Sequence, residues 1–296
     1  MTIFRTLQFI ASHPLNKHDK TKALWRFLSW QISSRMAPGA IAFDWVERSR
    51  FLARCGETGL TGNIYTGLHE FSDMAYLLHF LRPTDVFVDV GANVGSYTIL
   101  ACGVVGARGF SFEPVPSTHA RLIENLRLNH IETRVSHPNI GIGDQSGSIQ
   151  FTEDGDTVNH ALAAGEVSAN TVYVQVETLD EVLSLEKPAL MKIDVEGFET
   201  AVLRGAEKTL ADPTMNSVIM ELNGSGDRYG FDESAILELM FDVGFRSYSY
   251  EPFSRTFKDL EGKNLECGNT LFIKDRKYAE ERVHSASKIT LNGVSF

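Results

Sequence analysis

The sequence predicts an α/β fold in which a mostly parallel sheet has helices on both faces and follows a helical N-terminal extension. Between residues 86 and 221, short apolar runs alternate with segments of helical spacing, a pattern typical of parallel βαβ units. Several of these runs end in an acid, and open α/β sheets bind ligands beyond the carboxyl ends of their strands. The four acids are Asp89, Glu113, Asp194 and Glu221.

The composition is that of an ordinary globular protein, and 296 residues allow one large domain or two small ones. A net charge of −10 argues against nucleic acid as a partner. Cys55, Cys102 and Cys267 are widely spaced and odd in number, which indicates neither a disulfide framework nor a metal knuckle. Because we find no membrane-spanning run and no signal-peptide pattern, we expect a cytoplasmic protein.

Residues 1–69 are predicted to form a helical and irregular cap. Residues 1–35 have amphipathic helical spacing. The apolar residues assigned to one face are Leu24, Phe27, Leu28 and Ile32. Six basic residues and one acid give residues 1–43 a charge of +5. We favour a cap helix with its basic face in solvent, and the alternative is an interfacial helix in peripheral contact with a membrane or a lipid-linked substrate.

The rest of the cap and the following helix are less regular. Residues 36–69 are glycine-rich and predict a lid or edge segment with strand-like pieces around Phe51 and Ile64. A helical stripe then begins near Met74 and ends before Pro83, which cannot continue a helix.

The stretch Val86–Tyr97 predicts a buried strand, a tight turn and the start of a helix. Gly91 permits a sharp turn or a close ligand approach. The stretch lacks the dinucleotide fingerprint, because Asn93 stands where the second glycine belongs. The next strand ends in Glu113, a position at which an acid hydrogen-bonds ribose hydroxyls. Together with Asp89, these features predict a nucleoside-binding site.

The remaining pattern continues the βα alternation. The predicted elements are helices at 117–129, 198–210 and 232–243, a short helix that opens with a capping box at 178–181, and strands near 135, 140–142, 149–152, 171–177, 190–194, 218–221, 245–250 and 269–274. The last two strands are expected to pair as an antiparallel hairpin. Residues 153–170 are polar and unassigned, and residues 276–296 are expected to be a loosely ordered polar tail.

Four motifs stand out along these elements. They are Val86–Tyr97, Phe112–Pro114, Glu124–Leu126 with Asn129, and MKIDVEGFETAVLRGA at 191–206. Over residues 70–275 they resemble the FkbM family of S-adenosylmethionine-dependent methyltransferases, and the last motif is the most specific. The resemblance implies a class I methyltransferase (Rossmann-like) fold with seven strands, and O-methylation of a hydroxyl, often on a sugar of a glycan, glycolipid or glycosylated natural product.

The resemblance also implies roles for individual residues. The loop around the methionine part of S-adenosylmethionine would contain Asp89, Gly91, Asn93 and Gly95. Glu113 would bind the ribose, Asp144 would lie near the adenine, and Asp194 would lie where donor and acceptor meet. Glu196 and Glu199 belong to the same motif without an assigned chemistry.

Methyl transfer to a hydroxyl requires in-line alignment and a base that takes the hydroxyl proton. The candidate catalytic residues are Asp194, His160, Glu196 and Glu221. Histidine changes protonation near neutral pH, which suits His160. Asp194 is better positioned, and whether it acts as base, donor contact or metal ligand stays open. These side chains could also bind Mg²⁺, but no spacing requires it, so we expect no metal.

Two other classes of function stay open. An NAD-dependent oxidoreductase would use a similar sheet, but the missing fingerprint disfavours it. A non-catalytic, membrane-tethered partner protein could keep the donor fold, and its support is the basic N-terminal helix. For the favoured enzyme, the expected partner is a small-molecule or glycan acceptor.

Overall fold

The computed structural model describes residues 3–37, 39–57, 60–153, 159–163 and 165–296. Within these ranges the helices are α1 Ile3–Ser12, α2 Lys20–Met36, α3 Thr61–Thr66, α4 Phe71–Phe80, α5 Ser96–Thr98, α6 Pro116–Leu128, α7 Leu179–Val182, α8 Glu199–Arg204, α9 Glu207–Ala211, α10 Glu233–Asp242 and α11 Arg276–Ser285. A π-helical stretch, Ile99–Val105, continues α5, and short 3₁₀ turns occur at Pro14–Asn16 and Ser225–Tyr229.

The strands of the described ranges form one large sheet and three small ones. They are β1 Ile41–Asp44, β2 Arg50–Ala53, β3 Val86–Val90, β4 Arg108–Phe112, β5 Val135–Ser136, β6 Gly141–Ile142, β7 Gly147–Thr152, β8 Thr171–Glu177, β9 Pro188–Ile193, β10 Ser217–Glu221, β11 Arg246–Glu251, β12 Thr256–Asp259, β13 Asn269–Ile273, β14 Thr290–Leu291 and β15 Val294–Ser295.

The large sheet has the order β12-β11-β13-β10-β9-β3-β4-β5. Strands β5, β4, β3, β9 and β10 are parallel, and β13 lies antiparallel between β10 and β11. Alternate residues of one strand enter different cores: Phe87 packs with α4 and α11, whereas Val88 packs with α8 and α10. The predicted α/β fold with helices on both faces is therefore confirmed.

The described sheet contains eight strands rather than the seven that we expected. The additional strand is β12, which lies in the segment expected to be a loop between the last two strands. It pairs with β11 and extends the antiparallel edge of the sheet. Its alternation is weak, because Phe257 is buried and its neighbours are exposed, so four residues give little periodic signal.

The single helix expected over residues 1–35 is two helices. Pro14 starts a 3₁₀ turn between α1 and α2, and a proline does not continue a helix from the preceding turn. The expected apolar face of α2 is also wrong. The side chains that face the core are Ala23, Phe27, Trp30 and Ser34. Leu28 and Ile32 are 50% and 59% exposed on the other side of the helix.

Two further expectations about the terminal regions need correction. Ile64 lies in helix α3 rather than in a strand, whereas Phe51 is in β2 as expected. The polar tail is ordered, since it forms α11 and the β14–β15 hairpin. Val283 and Phe296 anchor it in the same core as α4, and Arg255 donates hydrogen bonds to its carbonyl groups.

The segment predicted as one helix over 198–210 is interrupted at Gly205. A Cβ there would overlap the carbonyl oxygen of Gly143, so the chain passes too close to the small sheet for any other residue. That sheet has the order β6-β8-β7 and lies on the side of the molecule that contains the candidate active site. In the described part of the chain, no helix has the length and apolar character needed to cross a bilayer.

Candidate active site

A cavity with about 570 Å³ of space lies at the carboxyl ends of β3, β4 and β9. Its described lining consists of Val90, Gly91, Asn93, Phe112, Glu113, Pro114, Val115, Thr118, Gly141, Ile142, Phe151, Asn159, Asp194, Val195, Glu196 and Phe198. Apolar walls with a few carboxylate and amide groups at one end suit a ligand that has an aromatic part and a charged part.

The loop after β3 forms the floor of this cavity. Gly91 has a φ of 78°, and a Cβ at this position would overlap the carbonyl oxygen of Asp194. The N–H groups of Gly91 and Ala92 both donate to the carbonyl of Phe112, at 3.0 and 2.9 Å. Only glycine permits this approach, so the turn is set by contacts between three strand ends.

Glu113 is the acid at the end of β4 and is 6% exposed. Its two carboxylate oxygens accept hydrogen bonds from the N–H groups of Asn93, at 3.0 Å, and Val115, at 2.9 Å. Burial raises the pKa of Glu113 to about 7, although these hydrogen bonds partly oppose the shift. The carboxyl group keeps lone pairs that can accept hydrogen bonds from a ligand in the cavity.

The other predicted donor residues differ in their positions. Asp89 is buried outside the described cavity lining, where it accepts a hydrogen bond of 2.6 Å from the Thr98 hydroxyl. Gly95 precedes α5, also outside that lining. Asp144 is exposed, because its segment follows β6 of the small sheet rather than a strand of the large one. From that segment, Gly141 contributes to the cavity.

Asp194 follows β9 and pairs with a lysine buried inside the sheet. The Lys192 ammonium donates a hydrogen bond of 2.9 Å to Asp194 Oδ2, and the two side chains are 2% and 37% exposed. Burial raises the pKa of Asp194, but the charge and hydrogen bond of Lys192 outweigh it, so the net pKa is lowered. Lys192 thus holds Asp194 in its ionised form.

Glu221 and Glu196 complete an acidic cluster around Asp194. One carboxylate oxygen from each of the three residues lies within 4.8 Å of the others. Burial, then the charge of Asp194 and its hydrogen bond with Glu221, raise the pKa of Glu221 to about 8. Burial and Asp194 also raise the pKa of Glu196. At neutral pH the cluster therefore contains an ionised Asp194 beside a protonated Glu221.

The oxygen ligands of this cluster are of the type that Mg²⁺ prefers. Lys192 already supplies a positive charge to Asp194, and a protonated Glu221 is a poor ligand. A metal ion would have to compete with the Lys192 ammonium for Asp194 and with a proton for Glu221. These carboxyl groups therefore suit the ammonium of Lys192 better than a divalent metal.

His160 is not part of the described cavity lining, although its neighbour Asn159 is. The Nε2 atom of His160 lies 2.9 Å from Glu166 Oε1, and its backbone N–H donates to Thr152. Of the polar segment 153–170 that contains it, residues 154–158 and 164 lie outside the described residues.

Sequence reasoning missed a buried polar network behind the acids. Tyr97 donates to Glu70 at 2.8 Å, and Asn269 donates to Glu70 at 2.8 Å and to Asp73 at 3.1 Å. Lys192 lies 5.2 Å from the centre of the Tyr97 ring, so it connects this network with Asp194. Glu70 and Asn269 are 199 positions apart, and no local pattern relates them.

Glu199, which had no assigned chemistry, organises the loop after β9. Its Oε1 accepts hydrogen bonds from the N–H groups of Val195, at 3.2 Å, and Gly197, at 3.1 Å. Burial raises the pKa of Glu199 to about 7. Its position therefore explains why an acid stands two residues after Gly197: it caps the turn that carries Glu196 into the cavity.

Comparison with known proteins relates the chain to methyltransferases. The family model described as the methyltransferase FkbM domain matches residues 89–247, which is more than half of the chain. The hexuronic acid methyltransferase AglP of Haloferax volcanii is 31% identical over 152 residues, covering 51% of this chain and 61% of AglP. The 31-O-demethyl-FK506 methyltransferase FkbM of Streptomyces tacrolimicus is 28% identical, covering 52% of this chain and 72% of FkbM.

Among solved structures, the chain is similar to an rRNA methylase from Streptococcus thermophilus. The two share 14% sequence identity with a TM-score of 0.40, and the match covers 68% of this chain and 91% of the methylase. A likeness of this size carries no argument about activity, so the family assignment depends on the sequence matches alone.

Proposed function

Because this chain belongs to the FkbM methyltransferase family, we propose that it transfers the methyl group of S-adenosylmethionine to a hydroxyl group of a sugar-containing acceptor. The observation that carries the proposal is the cavity where three parallel strands end, with Gly91, Glu113 and Asp194 around it. Ligands of open α/β sheets bind at this edge.

The donor would lie between the loop after β3 and the end of β4. Glu113 has carboxylate lone pairs for the ribose hydroxyls, and the turn at Gly91 leaves space for the methionine part. The apolar walls formed by Val115, Ile142 and Phe151 suit the faces of an adenine ring. The sulfonium carries a positive charge, so the carboxylate of Asp194 at the open end would attract the reacting part of the donor.

In the proposed reaction, the acceptor oxygen forms a bond with the methyl carbon while the carbon–sulfur bond breaks. The bonding electron pair stays on sulfur, which leaves neutral S-adenosylhomocysteine. The hydroxyl proton passes to a base, and we assign this role to Asp194, which Lys192 keeps ionised. Glu221 already carries a proton, and its hydrogen bond with Asp194 would orient the carboxylate that acts as the base.

The acceptor assignment rests on the chemistry of the cluster and on the relatives. The carboxyl groups of Asp194, Glu196 and Glu221 can form hydrogen bonds with several hydroxyls of one acceptor. A sugar ring presents such a set of hydroxyls. The relatives named above include one enzyme whose name specifies a hexuronic acid, so the sugar class is shared with a protein of the family.

The first test is a thermal-shift titration with S-adenosylhomocysteine, with NAD in parallel. A ligand that binds only the native protein stabilises it by about 2.7 kcal/mol at 100 times its dissociation constant. We expect a shift with S-adenosylhomocysteine and none with NAD. A shift with NAD alone would contradict the proposal and favour an oxidoreductase.

The acceptor is tested with S-adenosylmethionine labelled on its methyl group. Neutral glycosides and the matching hexuronates are offered in parallel, and label in the sugar is measured after separation from the donor. We expect transfer to at least one of these two sugar classes. Donor binding without transfer to any hydroxyl acceptor would contradict the O-methyltransferase assignment.

A further inference from the structure

Helix α2 has apolar side chains on two opposite faces, and the core uses one of them. Ala23, Phe27 and Trp30 are buried. At about 100° per residue, four other apolar side chains fall within about 80° of arc at the centre of the opposite face. These residues form the α2 stripe: Trp25 66% exposed, Leu28 50%, Ile32 59% and Met36 78%. A helix packed on one side would ordinarily present polar residues there.

Basic side chains flank the α2 stripe, and the adjoining groove also contains the acid Asp44. On the same helical projection Lys22 and Arg35 flank the stripe, and both are exposed. Lys17 and Lys20 are exposed at the start of the helix. The single acid among residues 1–43 is Asp19, whose carboxylate accepts a hydrogen bond from the Lys22 N–H as the helix cap.

This local charge contrasts with the rest of the molecule. Residues 1–43 have a charge of +5 in a chain whose net charge is −10. A surface that is basic and apolar at once complements the headgroup region of an anionic bilayer, where tryptophan and lysine side chains are favoured. A soluble partner protein would need a matching groove, whereas the flat interface of a bilayer accepts a straight helix lying in its plane.

A groove with about 860 Å³ of space adjoins the α2 stripe. Trp25 belongs to both, and the groove is further lined by Trp30, Phe43, Trp45 and Phe51 among other residues. The groove shares none of its lining with the proposed donor cavity.

The position of α2 relates the stripe to the active site. Arg26 donates a hydrogen bond of 2.9 Å to the carbonyl of Tyr65, and the rings of Phe27 and Tyr65 lie 5.1 Å apart. The segment after Tyr65 leads to Glu70 and α4, whose first turn borders the acidic cluster through Tyr97. Helix α2 is thus linked, through Tyr65 and the segment that follows it, to the polar network behind Asp194.

We propose that the α2 stripe docks this protein onto an anionic lipid bilayer, with the stripe in the interface and the flanking basic residues at the headgroups. The proposal is independent of the methyl-transfer reaction, since it depends on the outer face of one helix. If the reaction proposed above is also correct, docking brings the cavity to acceptors held at a membrane.

The test uses the full chain and two kinds of vesicle, one rich in phosphatidylglycerol and one of phosphatidylcholine alone. Co-sedimentation measures the partition coefficient. We expect binding to the anionic vesicles that weakens with salt, and at least about tenfold weaker binding to the neutral ones. Replacing both Leu28 and Ile32 by serine should lower the partition coefficient at least about tenfold, because each buries an apolar side chain in the bilayer.

The matched control is the double variant Leu185→Ser with Leu265→Ser, which removes two apolar side chains that are 93% and 86% exposed elsewhere. We expect it to bind vesicles like the unchanged protein. Lys22→Gln and Arg35→Gln should each weaken binding about fivefold, since one basic residue near an anionic surface contributes about that factor. Equal loss of binding in the control and in the stripe variant would overturn the proposal.

Tryptophan fluorescence gives a second, independent measurement. Trp30 and Trp45 are 3% and 7% exposed, so a change of environment on vesicle addition should come from Trp25. We expect a blue shift that is absent in Trp25→Phe. A concentration-dependent dimer in solution that is lost in the Leu28/Ile32 variant would instead assign the stripe to a second copy of the chain and overturn the proposal.

Discussion

The two sides of the cavity hold their acids in different ways. On the β4 side, Glu113 accepts hydrogen bonds from backbone N–H groups, and burial raises its pKa to about 7. On the β9 side, Asp194 pairs with the Lys192 side chain, and its pKa is lowered. Backbone groups fix the first carboxyl, whereas the buried charge of Lys192, on the strand that leads to Asp194, sets the ionisation of the second.

This difference suits the two tasks of a transfer reaction. A binding group needs a fixed position, and backbone donors at a strand end supply one. A group that takes a proton needs a suitable pKa, and nearby charges can adjust that without moving the chain. The comparison predicts that substitutions on the Glu113 side change donor affinity, and that substitutions on the Asp194 side change the rate or its pH dependence.

The largest expected effect is that of Asp194→Asn. The amide cannot accept the hydroxyl proton, so kcat should fall by about 10²–10⁴, as is typical when a general base is removed. Donor affinity, measured by calorimetry, should change only a few-fold. Normal turnover would show that Asp194 is not the general base, and the proposed difference in role between Asp194 and Glu113 would then be wrong.

Lys192→Met should act through Asp194. Without the buried ammonium the pKa of Asp194 rises, so the acid limb of the kcat profile should move to higher pH, by about one to three units. Because Lys192 is buried and also faces Glu70 and Glu221, stability should fall as well, so the position of the acid limb is the measurement that tests its effect on Asp194. An acid limb at the same pH in both proteins would show that Lys192 does not set the ionisation of the base.

Glu113→Gln should weaken donor binding about tenfold, since hydrogen bonds to a charged group contribute about 1.5–3 kcal/mol and the amide retains part of them. The rate at saturating donor should stay close to that of the unchanged protein. Glu281→Gln, an exposed acid on α11, is the matched control and should leave both quantities unchanged. A loss of rate without a loss of donor affinity would contradict the assignment of Glu113 to donor binding.

The pH dependence of stability sharpens the comparison further. The pKa of Glu221 is raised to about 8 and that of Glu113 to about 7, mainly by burial, so the folded protein binds more protons than the unfolded chain below these values. Stability should therefore fall as pH rises from 6.5 to about 8. His13 and His79, with pKa lowered to about 4 by burial, act in the opposite direction and only below 6.5.

Thermal unfolding without ligand, followed across this pH range, checks whether stability falls as the pH rises. Glu221→Gln should flatten the decline, because it removes one of the titrating groups, and the exposed control Glu281→Gln should not. A melting temperature that rises between pH 6.5 and about 8 would contradict the assignment of protonated acids at the site.

The smallest expected effect is that of a chelator. Lys192 already neutralises Asp194, so EDTA should leave both kcat and the donor dissociation constant unchanged. Loss of activity that Mg²⁺ restores would mean that the cluster of Asp194, Glu196 and Glu221 binds a metal in the working enzyme. In that case the metal, rather than Lys192, would be the main positive charge beside these acids.

The sequence predicted the sheet and the acids that end its strands, because apolar runs and the residues after them are local features. Gly91, Glu113 and Asp194 reach one cavity for this reason. Asp144 was expected there as well, but its strand pairs with β8 in the small sheet, and partner choice depends on distant residues.

Other features could not be predicted because several arrangements satisfy the same pattern. Helix α2 has two apolar faces, and spacing alone does not say which one packs. Lys192 lies in an apolar run, where its burial depends on a partner at Asp194 and on the network around Glu70 and Asn269. The catalytic roles assigned to His160, Glu196 and Glu221 stay predictions.

The contact between Gly91 and Asp194 has a kinetic consequence. The N–H of Asp194 donates to the carbonyl of Val90 at 3.0 Å, and Gly91 has no side chain to separate the two loops. We therefore expect the donor loop and the proposed base to keep a fixed spacing during turnover. Changes in substrate order or in the rate-limiting step should then come from substitutions elsewhere in the cavity lining, such as those of Asn159 and Phe198.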